Sequence, residues 1–160
     1  MPYIIDGNNL IGCSPDISLG DPDARDKLIQ LIRKFQESKQ TKVTLVFDGM
    51  PSPGGQLKNV ISAKFTVLFP RHGHSADDEI KRLLNAYHQL SEVVLVTSDR
   101  ELKLFAREKG AKTRNSVEFY YELRKSFFRS GKREENQKRI DHSLSKHEVE
   151  QWLKIFNSNR

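Results

Sequence analysis

The sequence predicts an α/β fold, a three-layer α/β/α sandwich with a mostly parallel central sheet, followed by a C-terminal helical tail. Three observations support this prediction. Apolar runs of the length expected for buried strands occur at 3–5, 43–47 and 93–96. Segments with the apolar spacing of amphipathic helices lie between these runs. The chain has 160 residues, 36% of them hydrophobic, which is enough for one domain with a buried core.

The first half of the chain alternates between strand and helix patterns. Leu28, Ile32 and Phe35 share one face of a predicted helix. The alternation over 63–69 is only partial, so we expect this strand to lie nearer an edge of the sheet. In chain order, the predicted elements are a strand at 3–5, a helix at 23–38, a strand at 43–47, a loop at 49–55 and a strand at 63–69.

The second half continues the alternation. Ser75 and Asp78 have the spacing of a capping box, which predicts the start of a helix. Gly110 is a typical residue just after a helix end. The predicted elements are a helix that begins at Ser75, a strand at 93–96, a helix at about 100–109 and a helix at 116–129.

The remaining residues predict a tail attached to a domain at 1–129. The segment 130–144 is polar and basic, which indicates a linker. A second capping box, Ser145 to Glu148, begins an amphipathic helix at 145–157. Its apolar stripe contains Trp152 and Phe156, and it could dock either on this protein or on a partner.

The charge is distributed unevenly along the chain. Lys and Arg number 27 against 21 Asp and Glu, for a net charge of +6. Residues 1–100 contain 12 basic and 12 acidic side chains, whereas 101–160 contain 15 and 9. This distribution excludes a uniformly basic protein of the histone type. A neutral body with a basic C-terminal region suits a nucleic-acid partner.

The sequence also limits the compartment. Cys13 is the only cysteine, so the chain has neither an intramolecular disulfide nor a cysteine-based zinc site. The N-terminus lacks the pattern of a signal peptide, and no apolar run approaches the ~18 residues of a membrane span. We therefore expect a cytoplasmic protein without a membrane partner.

Acidic residues recur where the predicted strands end. Asp6, Asp48 and Asp99 follow three of the strands, and the carboxyl ends of parallel strands meet at one edge of a sheet, where ligands bind. The helix that begins at Ser75 starts at the same edge. At ~100° per residue, Asp77 lies about 70° from the centre of that helix's apolar stripe and Asp78 about 170°. We therefore expect Asp77 to face the site and Asp78 to face solvent.

Carboxylates gathered at one edge repel each other and favour a bound cation. An all-oxygen donor set suits Mg²⁺ or Mn²⁺, which can activate water for attack on a phosphodiester. The ordinary alternative is that Asp and Asn form turns after strands and that Asp caps helices. That explanation serves for any one of these residues better than for all four at a single edge.

Four short motifs carry a family resemblance. Asp6-Gly7-Asn8-Asn9 has the form Asp-Gly-x-Asn, 46–48 reads Val-Phe-Asp, 75–80 reads Ser-Ala-Asp-Asp-x-Ile, and 96–99 reads Val-Thr-Ser-Asp. In order and spacing they resemble the YacP-like branch of the NYN domains, nuclease folds related to PIN domains. The resemblance covers roughly residues 1–125.

This resemblance implies a PIN-like sandwich and metal-dependent cleavage of RNA. It implies that Asp6, Asp77 and Asp99 hold Mg²⁺ or Mn²⁺ and that Asp48 completes the catalytic acids. Asn9 would steady the first loop or a ligand water. Lys81 stands where the family often has an acid, so a fourth ligand could come from Asp78, and the number of metal ions stays open.

Basic and polar residues around the acids are candidate RNA contacts. His72 and His74 could bind a transition metal, but in a loop beside harder ligands we expect a role toward substrate. The basic tail, with Phe127 and Phe128, could bind RNA by phosphate contacts and stacking, or could simply be a solvated helix face. The candidate substrate-binding residues are Asn9, Ser98, Arg71, His74, Arg100, Arg124, Lys125 and Arg129.

The functional prediction is a metal-dependent endoribonuclease that hydrolyses single-stranded mRNA or rRNA, with the ribosome as a further candidate partner. A monomer and a weak homodimer are both open. One alternative is a catalytically weak RNA- or ribosome-binding module; another is a toxin-like nuclease held by a small antitoxin. The sequence lacks a phosphate loop, a dinucleotide-binding glycine motif and a nucleophile elbow around Ser98. Asn8 stands where an aspartyl-phosphate phosphatase would have its second Asp.

Overall fold

A six-stranded sheet forms the centre of the described chain. The computed structural model describes residues 1–134, with side chains through 127, together with residues 151, 153 and 154. The strand order is β3-β4-β2-β1-β5-β6, and all neighbours are parallel except the β3–β4 pair. The strands are β1 (Tyr3–Asp6), β2 (Val43–Val46), β3 (Lys58–Ser62), β4 (Phe65–Leu68), β5 (Val94–Val96) and β6 (Lys112–Arg114).

Helices cover both faces of this sheet. The helices within residues 1–134 are α1 (Gly7–Gly12), α2 (Ala24–Lys39), α3 (Ala76–Ala86), α4 (Arg100–Glu108) and α5 (Ser116–Glu134), with a short 3-10 turn at Leu90–Glu92. One core joins α1, α2 and the first part of α5 to the sheet through Leu10, Leu28 and Phe119. The other joins α3 and α4 to the opposite face through Ile80 and Leu102. This arrangement confirms the predicted α/β class and its three layers.

The central strands determine where the acidic residues lie. β1 lies between β2 and β5, and Asp6 pairs in register with Val46 while Ile5 pairs with Val96. The carboxyl ends of these three parallel strands therefore lie side by side. We call this edge, with the start of α3, the acidic edge; its acids are Asp6, Asp48, Asp77 and Asp99.

Several elements differ from the sequence prediction. The residues after Asp6 form helix α1 rather than a loop, and strand β6 was not predicted. Strand β3 was not predicted either; it pairs with β4 and occupies the edge position, so β4 lies next to the edge, in agreement with the prediction of a strand nearer an edge. These elements have only three to six residues, too few for a pattern to stand out.

Helix α5 is longer than the predicted helix at 116–129 and continues to Glu134. Its last residues are rich in Arg, Lys and Glu, which favour helix, so the helix takes in the first part of the predicted linker. Residues Met1–Ser126 form one compact unit and Phe127–Arg160 a second. In the predicted helix at 145–157 only residues 151, 153 and 154 are described, and these are helical; Trp152 and Phe156 lie outside the described residues.

No helix in the described ranges is both long enough and apolar enough to cross a lipid bilayer.

Gly7 allows α1 to pack closely against strand β2. A Cβ atom at this position would lie 2.7 Å from two ring carbons of Phe47 and 3.0 Å from the carbonyl oxygen of Val46. The Phe47 ring is fully buried, so it has little room to move away. The glycine that follows Asp6 is thus explained by packing and not by an unusual backbone angle.

We expect Gly7→Ala to lower the free energy of unfolding by about 1–3 kcal/mol, because the added methyl group overpacks the contact with Phe47. Gly12→Ala, in the same helix, is the matched control. Its Cβ would meet Leu19 at an ordinary 3.6 Å, so the substitution should be neutral or stabilise by about 0.5–1 kcal/mol. Urea denaturation measures both variants, and equal stabilities would contradict this account of Gly7.

Candidate active site

Asp6 is the most buried acid of the acidic edge, with 6% of its surface exposed. It stands at the end of central strand β1 and forms the N-cap of α1, where one carboxylate oxygen accepts from the Asn9 N–H at 3.4 Å. The other oxygen accepts from the Thr97 hydroxyl at 3.2 Å. The pKa of Asp6 is raised to about 6, chiefly by burial; the two hydrogen bonds partly oppose this shift, and the carboxylates of Asp77 and Asp48 add to it.

Thr97 connects Asp6 to Asp99. Its side chain is fully buried, and its hydroxyl oxygen also accepts from the backbone N–H of Asp99 at 3.1 Å. Asp99 in turn forms the N-cap of α4 by accepting from the Leu102 N–H at 2.9 Å. The end of β1 and the start of α4 are therefore fixed to each other through one hydroxyl group.

Asp48 and Asp77 form a second linked pair. One carboxylate oxygen of Asp48 accepts from the Ala76 N–H at 3.1 Å, in the first turn of α3. The next residue along that helix is Asp77, which is half-buried. Burial raises the pKa of Asp77, and the charges of Asp99 and Asp48 raise it further, while the charge of Lys81 partly opposes the shift. All four acids thus interact electrostatically across the edge.

Asp77 differs from the other three acids because, among the described residues, its charge is offset by the charge of Lys81 and not by a hydrogen bond. Asp6 and Asp99 cap helices, and Asp48 accepts from the start of α3. No hydrogen bond to the Asp77 carboxylate is formed by any part of the chain that the structure describes. Helix capping therefore accounts for three of the acids but not for Asp77.

Asp78 points away from the site, as the helical geometry predicted. Its side chain is exposed and accepts from the Ser75 N–H at 2.9 Å, while Ser75 accepts from the Asp78 N–H, which completes the capping box. These hydrogen bonds lower the pKa of Asp78. Asp6 and Asp99 also cap helices but lie at the strand ends inside the acidic edge, whereas Asp78 is exposed on α3, so we do not expect Asp78 to supply a fourth ligand.

The two asparagines of the first motif reach in opposite directions from α1. Asn8 accepts from the Asp48 N–H at 2.9 Å, at the end of β2. Asn9 accepts from the Ser98 N–H at 2.8 Å, after β5, and from the Ser116 hydroxyl at 2.6 Å. The Asn9 carbonyl thereby fixes the first turn, as the resemblance implied, while contact with substrate stays a prediction.

Arg25 holds the Asp48 loop from the side of α2. Its guanidinium donates to the carbonyl oxygens of Asp48 at 2.8 Å and Met50 at 2.7 Å. It also lies over the rings of Phe47 and Phe69, at 5.6 and 5.1 Å from their centres. Sequence reasoning assigned no role to Arg25, Asn8 or Thr97. The sequence offered a clue to Asn8 and Thr97, because both stand inside the four motifs, but none to Arg25.

The other candidate substrate contacts occupy different environments. Ser98 contacts Asn115 at 3.3 Å and the Cys13 sulfur at 3.7 Å, beside the acidic edge. Arg71, His74 and Arg100 are exposed next to the starts of α3 and α4. On α5, Lys125 is exposed, and the side chain of Arg129 lies outside those the structure describes.

Arg124 has an intramolecular partner that the sequence prediction did not anticipate. Its guanidinium lies 2.7 Å from the carboxylate of Asp16, which also accepts from the Tyr120 hydroxyl at 2.7 Å. This ion pair ties the loop after α1 to α5. Arg124 would therefore have to give up Asp16 before it could bind a phosphate.

The four acids lie along the edge, but their carboxylates do not point to one common metal position. Within the described ranges, no three Asp, Glu, His or Cys side chains are arranged to hold one metal ion. Mg²⁺ commonly binds one or two carboxylates directly and keeps several waters. The donor chemistry, oxygen ligands whose pKa is raised by mutual repulsion and burial, therefore suits a hydrated hard cation better than a tightly enclosed one.

Comparison with known proteins agrees with this geometry. The model of the YacP-like NYN domain matches residues 3–157. The chain belongs to the YacP-like NYN domain family. The match extends beyond residue 125, where the resemblance read from the motifs ended, and includes the tail. Family membership confirms that the fold is nuclease-like.

The individual relatives come from Bacillus subtilis. The chain is 29% identical to YacP over 101 residues, 60% of this chain and 59% of that protein, so the matched region spans less than two thirds of YacP. The crystal structure of Rae1 (YacP) has a TM-score of 0.71 at 25% identity, over 85% of this chain and 80% of that one. A mutant of Rae1 gives 0.69 at 24%, over 84% and 82%.

We expect Asp6→Asn to stabilise the fold in metal-free buffer. The folded-state pKa of about 6 exceeds the ordinary 3.8, so the native state binds the proton more tightly and the free energy of unfolding falls as pH rises from about 4 to 6. Above that window the buried charge is fully present. Removing it should raise the free energy of unfolding at pH 7.5 by about 1–3 kcal/mol.

Urea denaturation in EDTA at pH 4.5 and 7.5 measures this effect. Asp23→Asn, at an exposed acid before α2, is the control and should change stability little at either pH. An Asp6→Asn variant that is less stable than the wild type at pH 7.5 would show that the charge itself supports the fold.

Proposed function

We propose that this chain is a metal-dependent endoribonuclease whose catalytic centre is the acidic edge. The observation that carries the proposal is the placement of Asp77. Its half-buried carboxylate faces other acids, gains no hydrogen bond from the described residues and is coupled to Asp99 and Asp48. A carboxylate in that position destabilises the isolated fold, so we infer that it is used for binding a cation.

In this proposal Asp6, Asp77 and Asp99 hold Mg²⁺ or Mn²⁺, and Asp48 orients the first turn of α3 beside them. The bound ion would supply Lewis-acid activation of water and stabilisation of charge on the phosphodiester. The protein's own contribution is to keep the ligands in place. Thr97 fixes Asp6 relative to Asp99, and Asn8 and Asn9 fix the neighbouring strand ends.

The substrate class follows from charge and family. The chain carries a net charge of +6, with exposed Arg71 and Arg100 beside the acids. Cationic side chains can hold a polyanionic backbone that the acids alone would repel. A nuclease-like fold with this charge pattern favours RNA, with a single strand expected to fit an open edge.

A second candidate function is RNA recognition without efficient cleavage. It is favoured by one observation: within the described ranges, no three potential ligands are arranged around one point. In this alternative the acids and their caps serve the fold, and the exposed basic residues bind RNA. The two functions differ in whether cleavage depends on Asp77.

We expect purified protein with Mn²⁺ to cleave single-stranded RNA and Asp77→Asn to lower the rate at least about 100-fold, since a missing ligand removes transition-state stabilisation of several kcal/mol. RNA binding should persist. Asp78→Asn is the matched control: it removes the same charge from the next residue, whose side chain serves the helix cap, and should keep most of the activity. Gel analysis of end-labelled RNA measures all three proteins.

Two results would count against the proposal. Equal losses in the Asp77 and Asp78 variants would show that the effect is not specific to the acidic edge. A wild type that binds RNA but cleaves no faster than Asp77→Asn would favour the recognition function instead.

A further inference from the structure

We propose that the surface where α3 and α4 meet is a second binding site for the sugar-phosphate backbone of RNA. The site consists of Lys81, Phe105 and Lys109, and we call it the lysine seam. It rests on the proposed function, because it would hold the same strand that reaches the acidic edge. Sequence reasoning placed the RNA contacts elsewhere, on the loop before α3, at Asn9 and Ser98, at the first residue of α4 and on α5.

The seam positions two ammonium groups around one aromatic ring. The Nζ atoms of Lys81 and Lys109 each lie 5.6 Å from the centre of the Phe105 ring. Phe105 is partly buried against the core beneath α3 and α4, which fixes the ring. Cation–π attraction therefore holds both lysine side chains near their bound positions, and less conformational entropy is lost when a ligand binds.

The charges of the seam are only partly offset by the protein, since Lys81 acts electrostatically on the nearby carboxylates of Asp77 and Asp78. Other cations, such as Arg82 and Arg124, have acidic partners. Lys81 and Lys109 form no ion pair with any acid in the described part of the chain, and the α4 acids Glu101 and Glu108 are exposed and unpaired there. Two ammonium groups near one ring repel each other, and an anion between or beside them relieves that repulsion.

The location of the seam connects it to the acidic edge. Lys81 is four residues after Asp77 on α3, one helical turn or about 6 Å along the axis, and on the same side of the helix. Helix α4 starts at the edge beside Asp99 and carries Phe105 and Lys109 away from it. A strand with one phosphate at the edge would thus meet the seam as it continues across α3 and α4.

The position of the two cations, on different elements and leading away from the acidic edge, favours a polymer over a single phosphate. Each Nζ is the same distance from the ring centre, and the two side chains reach the ring from different helices. Two cations on different elements can both contact a flexible strand that already has a phosphate at the acidic edge. Side chains that bind phosphates contribute affinity that is independent of base sequence and sensitive to salt.

The test is RNA binding measured by fluorescence anisotropy with a labelled single-stranded RNA of about 20 nucleotides. EDTA is present so that no cleavage occurs, and NaCl is varied from about 50 to 200 mM. The variant is Lys81→Gln/Lys109→Gln. Lys39→Gln/Lys42→Gln is the matched control, because these exposed residues flank the start of β2, at the opposite end of the strands from the acids.

We expect the seam variant to bind about 5–20-fold more weakly than the wild type at low salt. Its plot of log affinity against log salt should be shallower by about 1.4, since each phosphate contact on a single strand contributes about 0.7 to the slope. The control should keep the wild-type slope. Thermal denaturation of both variants should give melting temperatures close to that of the wild type, because neither pair of lysines is buried.

An unchanged slope in the seam variant would overturn the proposal, as would an equal loss in the control, which would indicate a general charge effect. Failure of the proposed function would look different. A wild type that never cleaves RNA, together with a seam variant that binds poorly, would retain the seam and reject the nuclease. Cleavage that requires Asp77, together with unaltered binding by the seam variant, would do the reverse.

Discussion

The close packing of α1 against the end of strand β2 is the constraint on which the acidic edge depends. The helix begins at Gly7, which the ring of Phe47 would not allow to carry a side chain. From this position Asn8 reaches the end of β2, and Asn9 reaches the residue after β5. Two consecutive side chains that follow β1 thus accept hydrogen bonds from the backbone after β2 and after β5. These bonds hold the ends of all three strands together, and one acid follows or ends each strand.

The same constraint makes the edge electrostatically unfavourable. Asp6 is buried and its pKa rises to about 6, while the pKa of Asp77 is raised by burial and by Asp99. The fold compensates through hydrogen bonds from Thr97 and from the helix N-termini, which favour nearby negative charge. Asp77 accepts no hydrogen bond from the described residues, and the charge of Lys81 offsets the burial and repulsion of its carboxylate only in part. A site that weakens the fold locally is typical of residues kept for function.

Much of this arrangement could be predicted from the sequence because it depends on local patterns. The ends of the buried strands at Asp6, Asp48 and Asp99 follow from apolar runs. The different orientations of Asp77 and Asp78 follow from helical rotation alone. Thr97 and Asn8 stood within the motifs, but their partners lie 91 and 40 residues away in the chain, a distance that no local pattern specifies.

The distribution of charge shows the same limit. Counting residues placed the whole surplus after residue 100 and indicated an RNA-binding tail. The structure shows that Arg124 pairs with Asp16, 108 residues earlier, and that Lys81, from the neutral part of the chain, lies beside Phe105 with Lys109. A net charge by segment does not reveal which cations are already paired, because ion pairs form between segments.

The most direct test of the central claim, that the acidic edge holds a divalent cation, is an anomalous difference map from crystals soaked in Mn²⁺. We expect a peak at the carboxyl ends of β1 and β5, about 2.2 Å from a carboxylate oxygen of Asp77 and from one of Asp6 or Asp99. The peak should be absent from Asp77→Asn crystals. A map with no peak at this edge, or with manganese bound only at His72 and His74, would contradict the claim.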